Sequence, residues 1–185
     1  MYFYWRENWQ TCVDVHKAMI GTPHARMFSM IDVESGYGNE RLGNQSSALN
    51  ATVDALTRWL GTKRVIAYAN KGDFTSMWPD RPAGLRVIGA GYPIDPNLPG
   101  QIAHQYTNGE ITGGGPTSSP PFGNCDMNKT PLTVAQFAAA VGIGTGGNPP
   151  PPPPEEPPTE SVSWIERIRR TLADWWGRIG DRLPV

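Results

Sequence analysis

Apolar residues follow two different spacings along the first part of this chain, and the two spacings alternate. Short and nearly continuous apolar runs predict buried strands at residues 2–5, 27–33, 64–69, 85–92 and 101–106. Apolar residues at helical spacing predict helices at residues 8–19, 50–60 and 133–141. Strands of this kind that alternate with helices are typical of a parallel sheet buried on both faces, so the predicted fold class is α/β.

Two long connections in this region are rich in turn residues. They cover residues 72–84 and 108–123 and follow predicted strands. Folds built from parallel strands place their sites in the loops at the strand ends. We therefore expect these connections to border a functional site.

The composition changes abruptly after residue 143. Residues 149–154 are six consecutive prolines, which predict an extended polyproline II segment of about 3.1 Å per residue. This segment is either a spacer or a ligand for a domain of the SH3 type. The predicted organisation is a globular domain at residues 1–143, a Pro-rich linker at 144–160 and a C-terminal helix at 161–185.

The predicted C-terminal helix is amphipathic. Ser163 and Glu166 have the spacing of a capping box at its start. Behind them one apolar stripe is set against arginines; it consists of Ile165, Ile168, Leu172, Trp175, Ile179 and Leu183. Three uses of this stripe stay open: self-association, docking to another protein, or binding to a membrane surface.

Composition excludes several classes of function. The formal net charge of the 185 residues is −1, which gives no reason to expect a nucleic-acid partner. The N-terminal residues do not resemble a signal peptide, and no apolar run is long enough for a transmembrane segment. Two cysteines are too few to indicate a disulfide framework, and the three histidines are scattered, so no metal site is predicted either. We expect no cofactor.

The strand at residues 27–33 carries the strongest chemical signal. Asp32 and Glu34 are two positions apart, so in an extended strand they lie on one face, while Val33 points to the other. Two neighbouring carboxylates repel, and the repulsion raises the pKa of one of them. Such a pair can divide the acid and base work of glycoside hydrolysis. The alternative is an acidic strand end without catalytic meaning.

Five short blocks occur in an order that resembles glycoside hydrolase family 25, the lysozyme-type muramidases found among phage endolysins and bacterial autolysins. The blocks are residues 31–34 (Ile-Asp-Val-Glu), 65–70 (Val-Ile-Ala-Tyr-Ala-Asn), 88–93 (Ile-Gly-Ala-Gly-Tyr-Pro), 104–107 (His-Gln-Tyr-Thr) and 125–128 (Cys-Asp-Met-Asn). The resemblance implies a β/α barrel of the TIM type with its active site at the carboxyl ends of the strands.

The resemblance also implies roles for individual residues. Glu34 matches the acid that donates a proton, and Asp32 matches the carboxylate that assists the acetamido group of the substrate. Asp126 matches a late acidic residue at the end of the last strand. The remaining matches are predicted to bind sugar: Tyr68, Tyr92, Gln105 and Tyr106. Each tyrosine could equally be a half-buried core aromatic with its hydroxyl at the rim.

The chain departs from the family pattern in two places. His104 stands where the family usually has Trp, and the strands that normally precede the Asp-x-Glu strand are too few. The barrel is therefore expected to be incomplete, which leaves open a fragment, completion by a partner, or a descendant without catalysis.

Two functions follow from these residues. The first is a peptidoglycan muramidase that cleaves glycan strands during cell-wall lysis, in a phage or a bacterium. The second is a non-catalytic cell-wall-binding or virion structural protein, held in place by its C-terminal helix. In either case the expected location is a virion or the host cytoplasm before release, with action at the bacterial cell wall.

Overall fold

The computed structural model describes residues 1–36, 42–111 and 114–144 of the chain. Within these ranges the helices are α1 (Trp9–Ile20), α2 (Ser46–Leu60), α3 (Lys71–Ser76) and α4 (Val134–Ala140). The strands are β1 (Tyr2–Tyr4), β2 (Ser29–Asp32), β3 (Val65–Asn70), β4 (Arg86–Ala90), β5 (Gln101–Thr107), β6 (Ser118–Ser119), β7 (Gly123–Asn124) and β8 (Met127–Lys129).

Every strand and helix predicted in the first 143 residues is present. Helix α2 begins at Ser46, four residues before the predicted start at residue 50. The two predicted connections contain further elements: α3 lies in the first, and the small hairpin β6–β7 begins in the second. Because these elements are two to six residues long, they carry too few apolar positions for a recognisable spacing.

The main sheet has the strand order β1-β2-β3-β4-β5-β8. Its first five strands are parallel neighbours, while β8 pairs with β5 in the antiparallel direction. The predicted parallel arrangement therefore holds for the first five strands, and β8 departs from it. No crossover helix joins β5 to β8 in the described part of that connection, and an antiparallel neighbour does not need one. The fold is mixed α/β with a mostly parallel sheet.

The outer face of the sheet is covered by α1, α2 and α3. Alternate strand residues such as Ile31, Val65 and Ala67 pack there against the helices, and all three are buried. The same cluster includes Trp5, Val13, Leu49, Leu56, Phe74 and Trp78. This apolar cluster is the main core, because burial of each large side chain contributes about 1.5–3 kcal/mol.

The inner face of the sheet is apolar only toward the amino ends of the parallel strands. There Ile66 packs in a second cluster with Met30, Ile88 and Ile102, and α4 covers them through Phe137 and Ala140. A capping box of Thr133 and Gln136 starts α4. Helix α4 therefore closes one end of the inner face and leaves the carboxyl ends of the strands open.

The main sheet is strongly curved. In a flat sheet the five spacings between β1 and β8 would separate these strands by about 24 Å. Tyr2 of β1 and Asn128 of β8 nevertheless line one cavity of about 250 Å³. The sheet must therefore bend around this cavity, although β1 and β8 are not neighbours among the described strands.

Residues 145–185 lie outside the described residues. The Pro-rich linker at 144–160, the C-terminal helix at 161–185 and the domain boundary at 143 consequently stay predictions. Among the helices of the described ranges, none is long and apolar enough to cross a membrane.

Candidate active site

A cavity of about 250 Å³ opens on the inner face of the main sheet. Residues of all six strands, or residues next to them, form its wall: Tyr2, Met30, Asp32, Glu34, Tyr68, Ile88, Gln105, Asp126 and Asn128. Met30 and Ile88 also belong to the inner apolar cluster. The cavity thus joins an apolar side to a wall that includes three acids and two amides.

Strand β2 places the two predicted carboxylates in this cavity. Ile31 and Val33 are fully buried in the outer core, so the residues that alternate with them point inward. Asp32 and Glu34 both line the cavity. In the sheet register Asp32 lies opposite Tyr68, and Tyr68 lies opposite Ile88 of the next strand. Such direct neighbours bring side chains within about 5.5 Å of each other at Cβ.

The third predicted acid, Asp126, lines the same cavity, but its position in the fold differs from the expectation. It comes just before β8 rather than at the end of a strand. Because β8 is antiparallel to β5, its beginning lies beside the carboxyl ends of the parallel strands. Asn128, two residues later, pairs with Gln105 across β5 and β8 and also lines the cavity.

The environment of Asp32 raises the pKa of its carboxyl group. The side chain is 9 % exposed, and burial together with the negative charge of Glu34 raises the pKa of Asp32 to about 7. Arg6 acts in the opposite direction, while Asp126 adds to the rise. One carboxyl oxygen, Oδ1, is buried without a hydrogen-bond partner among the described residues. A buried polar atom of this kind is suited to bind a group of a ligand.

Glu34 is affected in the same direction. Burial raises the pKa of Glu34, and the negative charges of Asp73 and Asp126 raise it further. With both pKa values raised, the pair of Asp32 and Glu34 retains a proton closer to neutral pH than ordinary carboxyl groups do. This is the property that an acid catalyst requires.

Tyr4, which ends β1, and Arg6, which follows it, interact with the acidic pair. The hydroxyl of Tyr4 donates a hydrogen bond to the carbonyl oxygen of Glu34 at 2.8 Å and also lies 3.0 Å from that of Gly36. The guanidinium of Arg6 stacks on the Tyr4 ring at 3.7 Å from its centroid. The positive charge of Arg6 lowers the pKa of Asp32 and so offsets part of the effect of burial.

Tyr68 and Tyr92 form a pair at the cavity. Tyr68 lines it, and its side chain interacts with that of Tyr92. Burial raises the pKa of both tyrosines, and the charge of Glu34 acts on both in the same direction. Both hydroxyls therefore stay protonated and are available as hydrogen-bond donors or acceptors. Of the two, only Tyr68 contributes directly to the cavity wall.

Tyr106 lies away from the cavity, which corrects the prediction that it lines the sugar groove. It follows Gln105 on β5, so the two side chains point to opposite faces of the strand. Tyr106 is 5 % exposed, and its hydroxyl donates to the carbonyl oxygen of Pro116 at 2.9 Å. His104 lies on the same side as Tyr106 and bonds to Gly91 instead of forming a wall of the cavity.

Several residues of this site were not predicted from the sequence. Tyr2 and Asn128 line the cavity. The alternation of side chains along a strand predicts their orientation only once β1 and β8 are known to border the cavity. Arg6 and Asp73 lie outside the strands, and no sequence spacing indicates them. In the described ranges, no group of three or more His, Cys, Asp or Glu residues is arranged to hold a metal ion.

Comparisons with known proteins give one relative by sequence and one by structure. The chain is 47% identical over 174 residues to the uncharacterized protein Rv3766 of Mycobacterium tuberculosis, across 91% of this chain and 63% of that protein. No family model matches the chain. The structure is similar to a family 25 glycosyl hydrolase from Bacillus anthracis, with a TM-score of 0.56, 18% identity, and coverage of 75% of this chain and 66% of the other.

The structural likeness shows the fold: a mixed α/β fold similar to that of a family 25 glycosyl hydrolase. The chain spans less than two thirds of the length of either protein. Neither comparison supports the phage, virion or endolysin setting predicted from the sequence, since both proteins come from bacteria.

Proposed function

We propose that this chain is a muramidase-like glycoside hydrolase that acts on the glycan strands of peptidoglycan. The observation that carries the proposal is the cavity at the carboxyl ends of the parallel strands, where Asp32, Glu34 and Asp126 meet. The raised pKa values of Asp32 and Glu34 support acid catalysis at this place. The likeness to a family 25 glycosyl hydrolase agrees with this chemistry.

In the proposed reaction Glu34 donates a proton to the glycosidic oxygen as the bond to the anomeric carbon breaks. The carbonyl oxygen of the substrate's own 2-acetamido group attacks the anomeric carbon from the other side and forms a cyclic intermediate. Asp32 accepts a hydrogen bond from the acetamido N–H, a role that fits its buried Oδ1. Water then opens the intermediate and returns a proton to Glu34.

The remaining predicted residues would bind and orient the sugar. Tyr68 and Gln105 lie in the cavity wall, and Tyr92 interacts with the side chain of Tyr68. Aromatic rings stack on the C–H faces of sugars, while amides and carboxylates bind hydroxyl groups. In this proposal the curved sheet is an open β/α barrel of the TIM type, and Tyr106 is a structural residue beside it.

The decisive experiment replaces Glu34 by Gln and measures the release of reducing ends from purified peptidoglycan. Loss of a general acid typically lowers the rate about 10²–10⁴-fold. Glu7→Gln is the matched control, because Glu7 is exposed and lies outside the cavity. We expect the control to retain wild-type activity and both variants to retain the far-UV circular dichroism of the wild type.

A second candidate is a non-catalytic protein that binds cell-wall glycan. It is favoured by the sheet, whose end strands β1 and β8 are not paired with each other in the described part of the chain. A sedimentation assay with peptidoglycan separates the two candidates. Binding without release of reducing ends by the wild type would reject the hydrolase, whereas release that Glu34→Gln abolishes would establish it.

The C-terminal segment at 161–185 is proposed to associate with a second copy or with another protein. An exposed apolar stripe of this size normally marks an interface. Deleting residues 149–185 should leave the described domain folded and remove the association, which light scattering on both forms would measure. Equal monomer masses would exclude self-association. Action at the bacterial cell wall is part of the same proposal.

A further inference from the structure

Asp73 is a buried acid that lies next to the candidate active site without lining its cavity. It belongs to the first turn of α3 and is 7 % exposed. Its backbone N–H donates to Oδ1 of Asn70 at 2.9 Å, and its Oδ2 accepts a hydrogen bond from Nδ2 of the same Asn70. Since Asn70 ends β3, these two bonds fix the Asp73 carboxylate relative to the sheet.

The same carboxylate holds the backbone that follows Glu34. Oδ2 of Asp73 accepts a hydrogen bond of 2.9 Å from the backbone N–H of Ser35, across 38 positions of the chain. On the other side, the Tyr4 hydroxyl bonds to the carbonyl oxygen of Glu34. The end of β2 is thereby held from α3 and from β1. A catalytic carboxylate needs this kind of support, because small displacements of a reacting group lower the rate.

Asp73 also places a negative charge near Glu34. Several other groups face the pair from the surrounding elements: Tyr4 and Arg6 from β1 and the loop after it, Tyr68 from β3, Tyr92 after β4, and Asp126 before β8. Asp73 and Asp126 act on Glu34, whereas Arg6 acts on Asp32. Asp73 opposes ionisation of Glu34, and Arg6 favours ionisation of Asp32.

We propose that Asp73 is a positioning residue for Glu34: its carboxylate holds the backbone after Glu34 through the Ser35 N–H, and its charge is coupled to the Glu34 carboxyl group. This inference rests on the proposed function for its catalytic meaning. Its physical content, the coupling between Asp73 and Glu34, can be measured on the protein without substrate.

The test compares Asp73→Asn with the wild-type full chain. The Asn side chain keeps an oxygen that can accept the Ser35 N–H bond but removes the charge. Titration of the Glu34 side-chain carboxyl carbon by NMR should show a pKa lower than in the wild type by about half a unit or more. In a peptidoglycan assay the fall of kcat at high pH should move to lower pH by the same amount.

Asp54→Asn is the control, because Asp54 is exposed on α2, which covers the outer face. It should leave the Glu34 titration unchanged. Asp73→Ser removes the charge with a smaller side chain and replaces Asp73→Asn if that variant does not fold. An unchanged Glu34 titration in the uncharged variant would overturn the proposal. A shifted titration in a protein that cleaves no peptidoglycan would support the coupling and reject the proposed function instead.

Discussion

The two faces of the main sheet differ although the same strands build both. On the outer face Ile31, Val33 and Val65 are buried against three helices, and the buried Ser29 is hydrogen-bonded to His16 of α1. On the inner face Met30 is followed by Asp32 and Glu34, so the character changes from apolar to acidic within one strand. The outer face forms the main core, while the inner face forms the cavity that the acids line.

Strand β2 and the residues that follow it contribute to both the core and the cavity. Buried carboxylates lower the stability of the folded state wherever their ionised form lacks compensation. The buried residues directly behind them, Ile31 and Val33, contribute the apolar packing that offsets this cost. We therefore expect substitutions on the two faces to separate stability from activity.

The largest effect on stability is expected on the outer side. Leu56 of α2 is fully buried in the outer core, and Leu56→Ala should lower the free energy of unfolding by about 2–5 kcal/mol. Urea unfolding would measure this loss, with the exposed Asp54→Asn as the neighbouring control. Activity per folded molecule should stay unchanged. A large loss of activity at an unchanged unfolding midpoint would contradict the division between the faces.

Asp32→Asn should have an effect of opposite sign, which depends on pH. Because the pKa of Asp32 is raised to about 7 in the folded state, the folded protein binds more protons than the unfolded chain between about pH 4 and 7. The contribution of Asp32 to stability is therefore lost as the pH rises through this window. Relative to the wild type, Asp32→Asn should gain about 3–4 kcal/mol between pH 4 and pH 8.

Urea unfolding of both proteins at the two pH values measures this difference. The comparison cancels groups that titrate alike in wild type and variant, and Asp54→Asn should show no such gain. If the difference in the free energy of unfolding between Asp32→Asn and wild type is the same at both pH values, folding does not raise the pKa of Asp32. The same variant should lose activity on peptidoglycan if the proposed reaction is correct.

The regular part of the fold was predictable from the sequence because it rests on repeated spacing. The spacing of residues 27–33 predicted both a buried face and an acidic pair. The structure places Asp32 and Glu34 together on the cavity side. The spacing of two positions requires only that the backbone be extended. For the same reason the burial of Val33 on the opposite side was predictable.

The rest depends on contacts between distant segments, which no local spacing records. Asp73 reaches Ser35 across 38 positions, and Asp126 reaches the site only because β8 runs antiparallel to β5. The prediction for Tyr106 differs from the structure because it was made from a sequence block and not from the orientation of side chains on the strand. The resemblance matched Gln105 and Tyr106 as neighbours in one block, but neighbours on a strand face opposite sides, so only one of them can line the cavity.

The smallest expected effects test this assignment of the tyrosines. Tyr106→Phe removes the hydrogen bond to the carbonyl oxygen of Pro116 and should lower the free energy of unfolding by about 1 kcal/mol without changing the affinity for glycan. Tyr68→Phe removes a hydroxyl at the cavity and should weaken the binding of a soluble peptidoglycan fragment. Calorimetric titration with that fragment and urea unfolding would measure the two quantities on both variants. Weaker binding of the fragment by Tyr106→Phe at unchanged stability would indicate that Tyr106 contacts the sugar. It would contradict the assignment of Gln105 and Tyr106 to opposite faces of β5.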